Sequence, residues 1–257
     1  MQFKPLMVTS AMLGRKTTKI RCLGLSLMAT AMLVACGGDG DEDPAQARGA
    51  IVSTQLLQTM SKAAIDAYTT ASGRRPVTGA AQCDVDIRYV QYMTRDPRGK
   101  PASATTAVMV PTGAGANCSG NRPVLLNAHG TTTARAYNIA DVNNNEAGAL
   151  LMAMFAAQGY IVANVNYHGS SGFGYAFKDS ITHRWGELEL QDVEAATDWL
   201  LKRPFADGRR IFASGGSYGG FMVAWMNGHV APGRYQAYVC HAGCFDWTAM
   251  FADDAWS

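Results

Sequence analysis

The run Ser214-Gly215-Gly216-Ser217-Tyr218-Gly219-Gly220, directly after the apolar, β-prone Ile211-Phe212-Ala213, restricts the fold of this chain more than any other stretch. A G-x-S-x-G sequence between a strand and a helix turns the backbone very tightly. The positions two residues either side of the serine, here Gly215 and Gly219, must therefore lack side chains. The serine hydroxyl is lifted over the end of a sheet. The backbone N–H of Tyr218 then points to where a tetrahedral oxyanion would form, at the positive end of a helix expected to begin near Phe221. Ser217 is thus the expected nucleophile; the alternative is a glycine-rich turn without chemistry.

The flanking pattern agrees with such a turn. Val85, Ile87 and Tyr89 alternate with Asp86 and Arg88, and Asp96-Pro97-Arg98-Gly99 leads into a second strand over 105–110, which predicts an antiparallel hairpin. Strands over 124–126, 160–165, 211–213 and 238–240 then alternate with helices over 146–158 and 191–201 and a helix after the elbow. Strand alternating with helix means a mostly parallel sheet covered on both faces. Before the hairpin, Leu57, Met60, Ala64 and Tyr68 recur at helical spacing with Ser53 as cap, predicting an amphipathic helix on the sheet edge. A hairpin entering a parallel sheet with a serine elbow after its third parallel strand is the layout of an α/β hydrolase. In that layout His129-Gly130-Thr131, after strand 124–127, occupies the place of the second oxyanion donor. The backbone N–H of Gly130 or Thr131 is expected to work with that of Tyr218, with the His129 imidazole as another donor or as a residue that only shapes the loop. Loss of one such donor typically costs about 3 kcal/mol of transition-state stabilisation.

The first 35 residues carry Lys4, Arg15, Lys16, Lys19 and Arg21 and no acid, then an apolar run from Leu23 to Ala35 that is too short to span a bilayer. This reads as a secretion signal. Its end, Leu33-Val34-Ala35-Cys36-Gly37, resembles a bacterial lipoprotein signal, so Cys36 is expected to carry a lipid anchor, against the alternative of a plain cleaved signal. Residues 36–49, glycine-rich and acidic, read as a flexible tether, and 50–257 as the α/β domain. Five of 22 basic residues and none of 20 acidic ones lie in the first 35. The remainder thus carries 17 against 20, a net charge of −3, which leaves no basic patch for nucleic acid. The expected setting is the bacterial cell envelope, on the outer membrane or periplasmic face, or outside the cell.

In such an oxidising compartment Cys83 and Cys118, which flank two expected strands, form a candidate disulfide. Cys240 and Cys244 have His241 between them but no fourth ligand nearby, so no metal is expected, and nothing in the chain calls for a cofactor.

Over 167–257 the sequence resembles the catalytic domain of the prolyl oligopeptidase family of serine peptidases. The resemblance rests on His168-Gly169-Ser170-Ser171-Gly172-Phe173-Gly174 after a strand, Trp185-Gly186, Gln191-Asp192, the elbow followed by Phe221-Met222, and Tyr238-Val239-Cys240-His241-Ala242-Gly243. It implies a peptide substrate cleaved through an acyl-enzyme at Ser217. The first half, with Cys36, the Cys83 to Cys118 region and Ala128 to Thr133, looks more like secreted bacterial lipase-like lipoproteins. Peptidase members usually carry a β-propeller, and fewer than about 90 residues separate Cys36 from the oxyanion strand, which raises a carboxylesterase or lipase with the same elbow as the alternative to the peptidase.

Serine needs an imidazole to take its proton and an acid to orient that imidazole, and in this fold the chain order is Ser, acid, His. The histidines are His129, His168, His183, His229 and His241, and none follows 241. Asp246, Asp253 and Asp254 are the acids after Ser217. The resemblance puts both the acid and the base later than Ser257, so the chain reads as a fragment cut after the sixth expected strand. A remnant that binds without turning over is the third reading.

Overall fold

The computed structural model describes residues 45–132, 138–142, 148–244, 246 and 248. These fall within one compact unit, Asp41–Ser257. The expected secretion signal, Cys36 and most of the expected tether lie outside the described residues, as do Asp253, Asp254 and the start of the helix expected at 146.

Among the described residues seven strands form one sheet: β1 (Ile51–Met60), β2 (Asp84–Arg95), β3 (Pro101–Thr112), β4 (Arg122–Ala128), β5 (Ile161–Val165), β6 (Ala206–Gly216) and β7 (Ala237–His241), in the order β1-β2-β3-β5-β4-β6-β7. The β1–β2, β2–β3 and β3–β5 pairs are antiparallel, whereas β5–β4, β4–β6 and β6–β7 are parallel. The hairpin and the alternating strands and helices expected from the sequence are present. β5, Ile161-Val162-Ala163-Asn164-Val165, is buried along its whole length, as a strand covered on both faces must be.

Helices cover both faces. On one side α5 (Glu187–Leu201) and α6 (Tyr218–His229) place Val193, Leu200, Met222 and Met226 against Val124, Leu126, Ile161 and Ile211. On the other, α1 (Lys62–Ala71) and α3 (Ala149–Ala157) place Ile65, Met152 and Ala153 against Leu125, Val162, Ile87 and Met109. Alternation along β4 sends Leu125 to one face and Leu126 to the other. Two short helices, α2 (Arg75–Thr78) and α4 (Tyr175–Asp179), lie in connections.

The helix expected from Ser53 is not one element. Residues 51–60 form the edge strand β1, and the helix starts at Lys62, capped by the Ser61 hydroxyl, which accepts from the Ala64 N–H at 3.2 Å. Register shifts between Ile51 and Ser53 and between Leu56 and Gln58 break the two-residue alternation that would have marked the strand. The tether also ends earlier than expected. Arg48 is ion-paired to Asp192 at 2.8 Å, and Gly49 N–H donates to the Met93 carbonyl at 2.8 Å. Cys83 and Cys118 are joined by a disulfide that closes the β2–β3 hairpin, while Cys240 and Cys244 are free. Among the described residues no helix is long and apolar enough to cross a membrane.

Candidate active site

β6 lies in parallel register between β4 and β7, pairing Ala128 with Gly215 and Gly216 with His241. It therefore delivers Ser217 to the C-terminal end of the parallel strands, where open α/β sheets hold their ligands. Ser217 is exposed and sits at φ 56°, ψ −123°, a conformation a side chain adopts only under strain of roughly 1–3 kcal/mol. Its N–H donates to the His241 carbonyl at 3.0 Å, which ties the turn to the end of β7. A Cβ on Gly219 would overlap the Ala128 carbonyl and stand 2.9 Å from the His129 oxygen, and one on Gly215 would overlap the Gly219 carbonyl and stand 2.9 Å from the Ala128 oxygen. Both glycines are required by close backbone approach.

Tyr218 opens α6, so its N–H has no intrahelical acceptor. From β4 the chain turns over the elbow so closely that a Cβ on Gly130 would lie 3.6 Å from the Ser217 Cβ. No backbone carbonyl among the described residues accepts from the N–H of Gly130 or Thr131. The imidazole of His129 is occupied: Nδ1 lies 2.8 Å from its neighbour's carbonyl, that of Gly130, and Nε2 lies 3.0 Å from the Ser170 hydroxyl. Its ring stacks on Tyr167 at 4.6 Å, and burial holds its pKa below the ordinary value, partly opposed by the Gly130 carbonyl. Of the expected donors, the His129 ring is thus engaged with Gly130 and Ser170, while the N–H groups of Gly130 and Thr131 donate to no backbone carbonyl among the described residues.

The Tyr218 side chain turns away from the elbow. Its hydroxyl donates to Glu189 Oε1 at 2.5 Å, and the same oxygen accepts from Gly186 N–H at 3.1 Å. Glu189 is fully buried and its Oε2 has no partner among the described residues. Burial raises its carboxyl above the ordinary 4.5, against the pull of those hydrogen bonds. Burial, then the Glu189 charge, pushes the Tyr218 phenol upward in turn, so the proton stays on tyrosine. Beside this pair lies a cleft of about 450 Å³ between Gly130–Thr132, Tyr167, Tyr175, Ile181, Trp185 and Tyr218. Two larger hollows, about 740 and 560 Å³, touch neither the elbow nor the oxyanion loop.

None of the five histidines hydrogen-bonds the Ser217 hydroxyl among the described residues. His168 is fully buried, with Nδ1 2.6 Å from Asp192 Oδ2 and Nε2 2.5 Å from the Arg95 carbonyl. His229 holds the Trp225 carbonyl at 2.8 Å, His183 is exposed, and His241 meets the elbow through its backbone. Asp246 is exposed after β7. Among the described residues no group of His, Cys, Asp and Glu could hold a metal ion. Sequence reading attached no role to Ser170, Glu189 or Asp192, although the first and last fall within motifs quoted above.

Residues 149–257 match the model of the prolyl oligopeptidase family. Dipeptidyl-peptidase 5 of Porphyromonas gingivalis is 41% identical over 101 residues, 39% of this chain and 15% of that protein. Its Schizosaccharomyces pombe counterpart is 38% identical over 95 residues, 37% of this chain and 14% of that protein. The chain thus spans a small part of the length of the relatives it matches. Among solved structures, the rice cell wall degrading esterase LipA from Xanthomonas oryzae superposes with a TM-score of 0.57 at 26% identity, covering 74% of this chain and 49% of that one. A solved Legionella pneumophila protein gives a TM-score of 0.53 at 19%, covering 70% of this chain and 48% of that one, a likeness of fold. The fold is that of the α/β hydrolases.

Proposed function

We propose, for a chain whose residues 149–257 carry the sequence of the prolyl oligopeptidase family, that it provides the acylating half of a serine peptidase acting on short peptides. The observation that carries this reading is the strained, exposed Ser217, next to the Tyr218 N–H that opens α6 and to the backbone N–H groups of a Gly130–Thr131 turn so close that a Cβ on Gly130 would lie 3.6 Å from the Ser217 Cβ. Ser217 Oγ attacks the substrate carbonyl carbon, its proton passing to a general base, and the carbonyl oxygen becomes an oxyanion held by those N–H groups. Collapse breaks the scissile bond, the leaving amine takes the proton, and water later releases the acyl group. The base and its orienting acid are not among the described contacts of Ser217, so turnover by these residues alone is expected to be weak, resting on oxyanion and binding effects.

An esterase reading is favoured by one observation: residues 51–112 build three strands of the hydrolase sheet itself, and the LipA esterase superposes on 74% of the chain. A fluorophosphonate probe should label Ser217 slowly, because no base among the described residues takes its proton, and labelling should vanish in Ser217→Ala. Cleavage of dipeptidyl amides supports the peptidase; cleavage of p-nitrophenyl esters alone moves the assignment to the esterase; no labelling of folded protein defeats both. A lipid anchor on Cys36 in the cell envelope belongs to the same proposal, supported by the basic and apolar leader. Palmitate incorporation that persists in Cys36→Ser would refute it.

A further inference from the structure

The buried carboxylate of Asp192, on α5, collects four hydrogen bonds from three distant parts of the chain. Oδ1 accepts from Arg48 Nη1 at 2.8 Å and from the Thr94 hydroxyl at 2.6 Å; Oδ2 faces the His168 backbone N–H at 2.9 Å and its Nδ1 at 2.6 Å. Arg48 also donates to Thr94 Oγ1 at 3.1 Å. His168 Nε2 faces a second acceptor, the Arg95 carbonyl. Both ring nitrogens of His168 are thus engaged, and the Tyr92 phenol, kept protonated by burial and by the Asp192 charge, lies alongside.

His168 begins the segment that supports the oxyanion loop. Gly169 is pinned at φ 88° under Ile181, and Gly169 N–H donates to Phe177. Ser170 N–H donates to the Tyr167 carbonyl, and Ser170 Oγ meets His129 Nε2 at 3.0 Å. The Tyr167 hydroxyl donates to the His129 carbonyl, and His129 Nδ1 meets the Gly130 carbonyl. An unbroken series of contacts thus runs from Arg48, just before the first strand, to the turn that covers Ser217. Nothing in the chemistry of acyl transfer needs Arg48 or Asp192 at the reacting atoms, and neither lies in the cleft beside Tyr218.

We propose that Arg48, through Asp192, His168 and Ser170, is a positioning residue that holds the His129–Thr131 turn over Ser217, so that docking of the segment leading into the domain sets the oxyanion site. This rests on the reading of that turn as the oxyanion loop. Arg48→Met keeps the bulk of the side chain and removes its charge; Arg48→Lys restores the charge. In the full chain, hydrogen exchange of Arg48→Met should rise about tenfold or more over 168–170, whose N–H groups are bonded to Asp192, Phe177 and Tyr167, as expected when a buried charged hydrogen bond is lost. Exchange over the β2–β3 hairpin, residues 96–112, should not change, and Arg48→Lys should recover part of the protection. Ser217 labelling by the fluorophosphonate should slow in the variant whose exchange rises. Thr94→Val, which removes one Asp192 donor without changing shape, should move the same segment and serves if Arg48→Met fails to fold. Unchanged exchange over 168–170 in both variants, labelling that does not slow where exchange rises, or a rise spread over the whole domain, overturns the proposal. Failure of the parent to label Ser217 would sink the proposed function while the exchange data still decide the positioning role.

Discussion

Gly219 and Gly228 lie in the same helix, and replacing each by alanine should change stability with opposite sign. At Gly219 the new Cβ would overlap the Ala128 carbonyl oxygen, stand 2.7 Å from that carbonyl carbon and 2.9 Å from the His129 oxygen. All three are backbone atoms at the end of β4, which is laddered to β5 and β6 on its two sides. No side chain can swing away, so the first turn of α6 must lift or the oxyanion loop must move. Overpacking costs about 1–3 kcal/mol, and rigid walls place this case near 3; the intrinsic gain of alanine over glycine in a helix, about 1 kcal/mol at most, leaves a net loss near 2. At Gly228 nothing lies within 4 Å of the new Cβ, so only the gain remains, roughly 0.5–1 kcal/mol so close to the helix end. Urea unfolding at constant m would show the midpoint falling for Gly219→Ala and rising for Gly228→Ala. Displacement of the turn by about an ångström should also slow Ser217 labelling about 100-fold in the first variant and leave it unchanged in the second. A Gly219→Ala protein within about 0.5 kcal/mol of the parent, labelled at the parent rate, would refute the close-approach argument.

Ser217→Gly should abolish labelling yet raise stability by about 1 kcal/mol, since relief of positive-φ strain exceeds the added freedom of the unfolded chain; a loss of stability would count against the strain. The raised Glu189 carboxyl makes folding less favourable as pH rises from its ordinary 4.5 through the higher folded value, because the folded state holds the proton longer. Glu189→Gln should therefore match the parent below pH 4.5 and gain on it above, as read from urea midpoints across pH; parallel profiles would contradict the assignment. Replacing Cys83 and Cys118 together by alanine opens a loop spanning 35 residues, worth about 4 kcal/mol by chain entropy. A matching fall in the parent on adding reductant checks it.

The elbow was legible because its chemistry is local: two glycines at fixed offsets, an apolar strand before and a helix after. The β2–β3 hairpin was legible for a similar reason, an alternating pattern closed by a Pro-Arg-Gly turn. β1 was not, because bulges near Val52 and Leu57 remove its alternation, and the Leu57 and Met60 of the strand fall by coincidence in phase with Ala64 and Tyr68 of α1. β6 proved longer than the apolar 211–213, since its first half carries the exposed Arg209 and Arg210, which pair with Asp207. The Asp192 cluster was invisible for a different reason. Its partners lie 24, 98 and 144 residues away, and no local pattern encodes a contact of that span. His168 shows the converse limit: a buried His–Asp pair looks like half of a catalytic triad until both ring nitrogens are seen to be occupied.

The ladder between β4 and β6 has a genetic consequence. Ser217 and the oxyanion turn hang from neighbouring central strands whose register runs from Val124 opposite Ile211 to Ala128 opposite Gly215. Deleting one codon between 124 and 128 or between 211 and 215 would shift one partner by about 3.3 Å and turn every side chain beyond it to the wrong face. The 96–99 turn closes the antiparallel β2–β3 pair, neither strand of which pairs with β4 or β6, so a change in its length leaves that register alone. A change of length is thus nearly forbidden in ten residues at the centre of the sheet.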